Sequence, residues 1–161
     1  MNVGLVAHDS KKKLMQNFCI AYRGIRNKHS LFATGTTGRL IEDVANLSIH
    51  KFLAGHLGGM QQMAAMIEHN EMDLVIFLRD PFCPKNHEPD VNDVVRLCDS
   101  YNIPLATNLA TAELLIKALD RGNGVRRTGN GNSKISGGGS AGCVNGSSGR
   151  LRLWFKGYLP Y

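Results

Sequence analysis

Three carboxylates and two imidazoles fall where the chain leaves short apolar runs: His8 and Asp9 in LVAHD, Asp80 in LVIFLRDP, and His87 and Asp90 in the loop sequence NHEPD. Brought to one place, such groups could run proton transfer. Singly, each has a plainer use: Asp9 and Asp90 as helix caps, Asp80 as the start of an Asp-Pro turn, His87 as a loop residue. A second pattern, Thr34-Gly35-Thr36-Thr37-Gly38, leads from an apolar run into a helical period. Its N–H groups and hydroxyls suit a phosphate cradle at a helix N-terminus, and an ordinary strand-to-helix turn is the alternative. Lys12 is placed to add a cation from a neighbouring strand end, or to open a solvated helix. The pentapeptide lacks the Lys of GxxxxGK[ST] and the spacing of GxGxxG, so a nucleotide is not indicated. No HxxxH or DxD spacing supports a metal. Met60, Met63 and Met66 recur every three residues, which reads as core packing and not as a cofactor box.

Side chains so far apart in sequence meet only if the fold brings loop after loop to one edge. Over residues 1–120 short apolar runs alternate with longer stretches of helical period, the pattern of a parallel α/β sheet. Strands are expected near residues 3–7, 31–34, 49–53, 74–78 and 104–107. Helices are expected near residues 12–26, 38–45, 61–68, 91–101 and 111–119. Crossovers this short imply a single doubly wound α/β domain, a five-stranded, mostly parallel sheet flanked by helices, with its ligand beyond the carboxyl ends of the strands. The polar and glycine-rich segments beginning at His8, Thr34, Ala54, Arg79 and Asn108 all follow expected strands.

Of the 161 residues, 43% are hydrophobic and 20% charged, near the globular average, which excludes wholesale disorder and a fibrous class. The net charge is +6, but all 13 acidic residues precede residue 121 and 7 of the 19 basic residues lie from residue 121 onward. The positive excess therefore belongs to the tail, and the body carries no nucleic-acid footprint. The chain divides into a domain over residues 1–120 and a flexible, Gly/Ser-rich basic tail over residues 121–161, read as an extension outside the domain. The tail ends in RLRLWFKGYLPY, and both an appendage and a docking strand for a partner or membrane surface stay open. No apolar run approaches the ~20 residues that span a bilayer. The start MNVGLVAHD shows no basic n-region and too short an apolar stretch for a signal, so no export is expected, and the four cysteines lie apart without a CxxC pair. A soluble cytoplasmic protein with reduced thiols is expected.

The segments LVAHD, ATGTTG, LGGMQQ, LVIFLRDP, HEPDV and IPLATN follow one another across residues 1–120, and together they resemble methylglyoxal synthase. In that family a single α/β domain, usually assembled as a hexamer, converts dihydroxyacetone phosphate to methylglyoxal and inorganic phosphate without metal or organic cofactor. The resemblance implies that Lys12, Thr34, Gly35, Thr36, Thr37, Ala54 and Gly55 surround the phosphate. It implies that His8 and His87 face the carbonyl and hydroxyl oxygens of the triose, supported by Asp9, Asp80 and Asp90. A homo-oligomer is implied too, with no nucleic-acid or membrane partner.

Three positions depart from the family pattern. Its motif GGDQQ supplies the carboxylate that removes the C3 proton, and here the motif reads Gly58-Gly59-Met60-Gln61-Gln62. Ala54 stands where the family usually has Ser, and His56 where it has Pro. A thioether cannot accept a proton, and a general base is worth about 10²–10⁴-fold, so a severely slowed enzyme is expected. The alternatives are a catalytically dead phosphate-binding or regulatory module, or an engineered variant of the enzyme. Residual turnover is expected to use Asp90 or Asp80 beside His87, with His56 a bystander, because a base must first reach its proton.

Overall fold

A computed structural model describes residues 1–26, 28–82 and 85–121, so the tail beyond residue 121 lies outside the described residues. Two apolar runs form the centre of the sheet. β1 (Asn2–Ala7) and β4 (Leu74–Leu78) pair with each other, and nearly every residue in them is buried. β1 also pairs with β2 (Ser30–Ala33), β2 with β3 (His50–Lys51), and β4 with β5 (Leu105–Ala106). The order is β3-β2-β1-β4-β5 and every pairing is parallel. Parallel neighbours need crossovers. These are α1 (Lys12–Ala21) with the short α2 (Arg23–Arg26), then α3 (Gly35–Ala45), α4 (Gly59–Glu68) and α5 (Val91–Ser100), while α6 (Leu109–Arg121) follows β5. The chain steps outward from β1 to β3, then crosses back to start again at β4. The order therefore reverses between β1 and β4, where an open α/β sheet leaves its crevice.

Alternation along the strands divides the core. Leu5, Ile76 and Leu78 face Met15 and Phe18 of α1, Ile41 of α3 and Ile116 of α6. Val6, Val75 and Phe77 face Met63 and Ile67 of α4 and Val94 and Cys98 of α5. The methionine stripe is core as expected: Met63 is fully buried, and Met60 and Met66 pack half-buried against the same cluster. The thiols of Cys19 and Cys98 are buried, one on each side of the sheet, and burial, with Asp99 nearby, pushes Cys98 up to about 12. No helix among the described residues is long and apolar enough to cross a membrane.

Several boundaries differ from the sequence reading. β3 covers two residues instead of 49–53, because its one partner, β2, ends at Ala33 just before α3 opens at Gly35. α3 starts three residues earlier than its periodicity suggested, with Thr34 extended at φ −63°, ψ 145° as its N-cap residue. β5 is confined between Pro104 and Asn108, whose Oδ1 accepts from the Thr111 N–H at 3.0 Å. The helix expected over residues 12–26 breaks at Tyr22, whose ring packs against Phe18 at 5.1 Å and beneath Lys117.

Candidate active site

The carboxyl ends of β1, β2 and β4 carry the segments singled out above. His8 leaves β1 buried, its ring edge-on to Phe77 at 5.1 Å. Its Nδ1 accepts from the Asp80 N–H at 2.8 Å, which fixes the proton on Nε2, and Nε2 donates to the Pro89 carbonyl at 3.1 Å. Both nitrogens are thus engaged with the main chain. These bonds make His8 a clamp joining β1, β4 and the loop before α5.

Asp9 is the electrostatic hub. Its Oδ1 takes Lys12 Nζ at 2.5 Å, and its Oδ2 takes Lys85 Nζ at 3.1 Å and His87 Nε2 at 3.3 Å. Lys12, then Lys85 and His87, hold its carboxyl far below the usual carboxylate range against the opposing effect of burial. A carboxylate only accepts, so His87 donates through Nε2. Sequence reasoning missed Glu88. Its carboxylate accepts from the Asp9 N–H at 2.6 Å and the Lys85 N–H at 2.7 Å, strapping the loop to the end of β1. No spacing announces such a brace, because both partners are backbone amides.

Beside Asp9 a hollow of about 50 Å³ is lined by Lys12, Thr34, Thr36, Thr37, Gly55 and His87, among others. Thr34 and Thr37 are buried with their hydroxyls 3.4 Å apart. Thr36 and Thr37 lie in the first turn of α3, where amides have no intrahelical acceptor and the helix end favours an anion. Gly35 and Ala54 shape the wall instead of lining it. The Gly35 N–H donates to Leu53 O at 3.0 Å, and Ala54 O accepts from the Leu57 and Gly59 N–H groups at 2.8 and 3.1 Å.

Met60 occupies the first turn of α4 and lines a larger cleft of about 420 Å³ together with His56, His87 and Asp90. Its place is fixed by the glycine pair before it. Gly58 has φ 103°, and a Cβ on Gly59 would lie 2.0 Å from Leu53 O. Gln62, also missed from sequence, ties α4 to the same segment by accepting from the Leu53 N–H at 2.7 Å. Asp90 N-caps α5, its Oδ1 accepting from the Asn92 N–H at 2.8 Å. Asp80 lines neither cavity: its oxygens accept from Ser10 Oγ at 2.7 Å and from the Phe82 N–H at 3.0 Å. His56 lines both, which its description as a bystander did not anticipate. Among the described residues no group of three His, Cys, Asp or Glu side chains could hold a metal ion. The arrangement can hold a phosphate-sized anion beside an imidazole, with the carboxylates of Asp90 and Asp93 bordering the cleft.

Comparison with known proteins places this geometry. The model of the MGS-like domain matches residues 17–107. The chain belongs to the MGS-like domain family. Among its MGS-like relatives, the methylglyoxal synthase of Caldicellulosiruptor saccharolyticus is 63% identical over 123 residues, covering 76% of this chain and 87% of that protein. The methylglyoxal synthase of Listeria welshimeri is 56% identical over 122 residues, covering 76% of this chain and 91% of that one. The crystal structure of methylglyoxal synthase from Elizabethkingia anophelis superposes with a TM-score of 0.70 at 40% identity, covering 71% of this chain and 76% of that one.

Proposed function

We propose that this MGS-like chain binds dihydroxyacetone phosphate and is a methylglyoxal synthase-type lyase whose turnover is strongly slowed by Met60. The observation that carries the reading is the hollow in which Lys12 and the threonines of the α3 N-terminus adjoin His87 and the Asp9 hub. In this reading the phosphate lies among Lys12, Thr34, Thr36, Thr37 and Gly55, with Gly35 and Ala54 shaping the cradle. His87 faces the carbonyl and hydroxyl oxygens of the triose. Asp9 holds Lys12 and His87 in place, and it is too well paired to act as a base. His8 and Asp80 position the loop.

The reaction needs a proton removed from C3 next to the carbonyl. The electron pair left behind forms an enediolate, which expels the β-phosphate as the C–O bond breaks, and donors around the leaving phosphate stabilise that step. The resulting enol rearranges to methylglyoxal. Of the carboxylates that line the cleft with Met60 and His87, Asp90 is assigned the proton in place of the missing base. Asp80 is set aside for this role because it lines neither cavity. The working unit is a homo-oligomer, a hexamer, in the cytoplasm, which sedimentation of the full chain tests.

Met60 itself favours a second reading, a phosphate-binding module without turnover. Following methylglyoxal release from dihydroxyacetone phosphate in the parent and in Met60→Asp separates them. We expect slow release by the parent and a gain of about 10²-fold or more in Met60→Asp, the scale of a restored general base. No release by either protein, with phosphate and phosphoglycolate still bound in calorimetry, selects the second reading. No binding removes both.

A further inference from the structure

The cleft beyond Met60 is larger and more apolar than a small phosphorylated metabolite requires. It runs between α4 and α5, and Met63, Ala64 and Ile67 on one side face Val94 and Leu97 on the other. Its volume of about 420 Å³ lies in the range of pockets that enclose whole organic ligands. The anion hollow, at about 50 Å³, has room for little more than one head group, a water claiming roughly 30 Å³ of liquid. The two cavities share Gly55, His56 and the segment His87 to Pro89, so they adjoin one another. Met60 stands on the cleft side, and its uncharged thioether leaves the junction without the carboxylate of the GGDQQ pattern. Asp90 and Asp93 at the rim disfavour a second negative charge at the far end of a ligand.

We infer that the joined cavities accept phosphate monoesters with an uncharged alkyl chain, the phosphate in the Lys12 and threonine hollow and the chain along the Met60 side of the cleft. The inference rests on the anion site proposed above and extends it to a class of ligand. Charge complementarity selects the head group, because Lys12 and the α3 N-terminus adjoin the apolar groove. Burial of each methylene then sets how affinity grows with chain length.

Calorimetric titration of the full chain with inorganic phosphate and with methyl, ethyl, n-propyl and n-butyl phosphate tests this. About fourfold tighter binding is expected for each added methylene, the equivalent of roughly 0.8 kcal/mol per buried CH₂. Ala64→Leu, which fills the groove with a good helix former, should leave inorganic phosphate binding unchanged and abolish the gain for the longer esters. Affinity that stays flat with chain length while inorganic phosphate binds overturns the groove and spares the anion site. Absence of binding by every member of the series overturns both. Equal gains in parent and Ala64→Leu would show that the chain lies elsewhere, and would also overturn the inference.

Discussion

Asp9 spreads two carboxylate oxygens over Lys12, Lys85 and His87, and the geometry decides what it can do. A group whose folded pKa lies below its ordinary value of 3.8 binds fewer protons folded than unfolded as the solution is acidified. Its contribution to stability is complete above about pH 4 and is lost as the pH falls below that value. Glu42, held down first by its hydrogen bond to Lys51, acts in the same direction on the far side of α3. The melting temperature of the parent should therefore fall more steeply between pH 5 and pH 3, roughly the carboxylate range, than that of Asp9→Asn. Equal slopes would show that the Asp9 hub contributes nothing to the folded state. Asp90 lends itself to a finer dissection. Asparagine caps a helix about as well as aspartate but accepts no proton, so Asp90→Asn should keep stability and lose residual turnover. Asp90→Ala should lose turnover and also cost about 1 kcal/mol in denaturant unfolding. Turnover unchanged in Asp90→Asn would return the base to another group, with His56 first in line because it borders the same cleft.

Among the elements, β4 shows most directly how sequence becomes fold. Leu74 to Leu78 is a continuous apolar run, and such a run suits a strand covered on both faces. Phe77, with no exposed surface, fills the layer under α4 and α5 and supports the ring of His8, so Phe77→Ala should cost about 3–5 kcal/mol in urea unfolding. It should also loosen the loop before α5, readable as faster amide exchange at Asp80 and Phe82. The central strands were legible because their own composition decides them. The edge strands were legible in place but not in extent, since the length of β3 is set by where β2 stops and the length of β5 by Pro104 and Asn108. The start of α3 was hidden for a related reason: glycine and threonine favour turns, and the segment becomes helical because the Gly35 N–H is held by Leu53 O. At the site, residue types with an obvious chemistry were legible. Glu88, Gln62 and the main-chain engagement of His8 were not, since each serves a backbone group remote in sequence.

For the molecule as a whole, α6 continues through Arg121, one residue past the expected boundary, and covers the face of the sheet shared with α1 and α3. We propose that the folded unit ends there. A chain of residues 1–121 should melt at the temperature of the full chain and form the same assembly in sedimentation, and a lower value in either measurement would make residues 122–161 part of the fold. The layering has one further consequence under the proposed release of methylglyoxal. That product is a dicarbonyl electrophile, and the anion of a thiol, not the thiol, is the form that attacks electrophiles. Cys19 lies on the buried face of α1, and Cys98, on the buried face of α5, is pushed up to about 12. Prolonged exposure to methylglyoxal should leave both unmodified in peptide mass mapping, so that the sheet also insulates these two thiols from the proposed product.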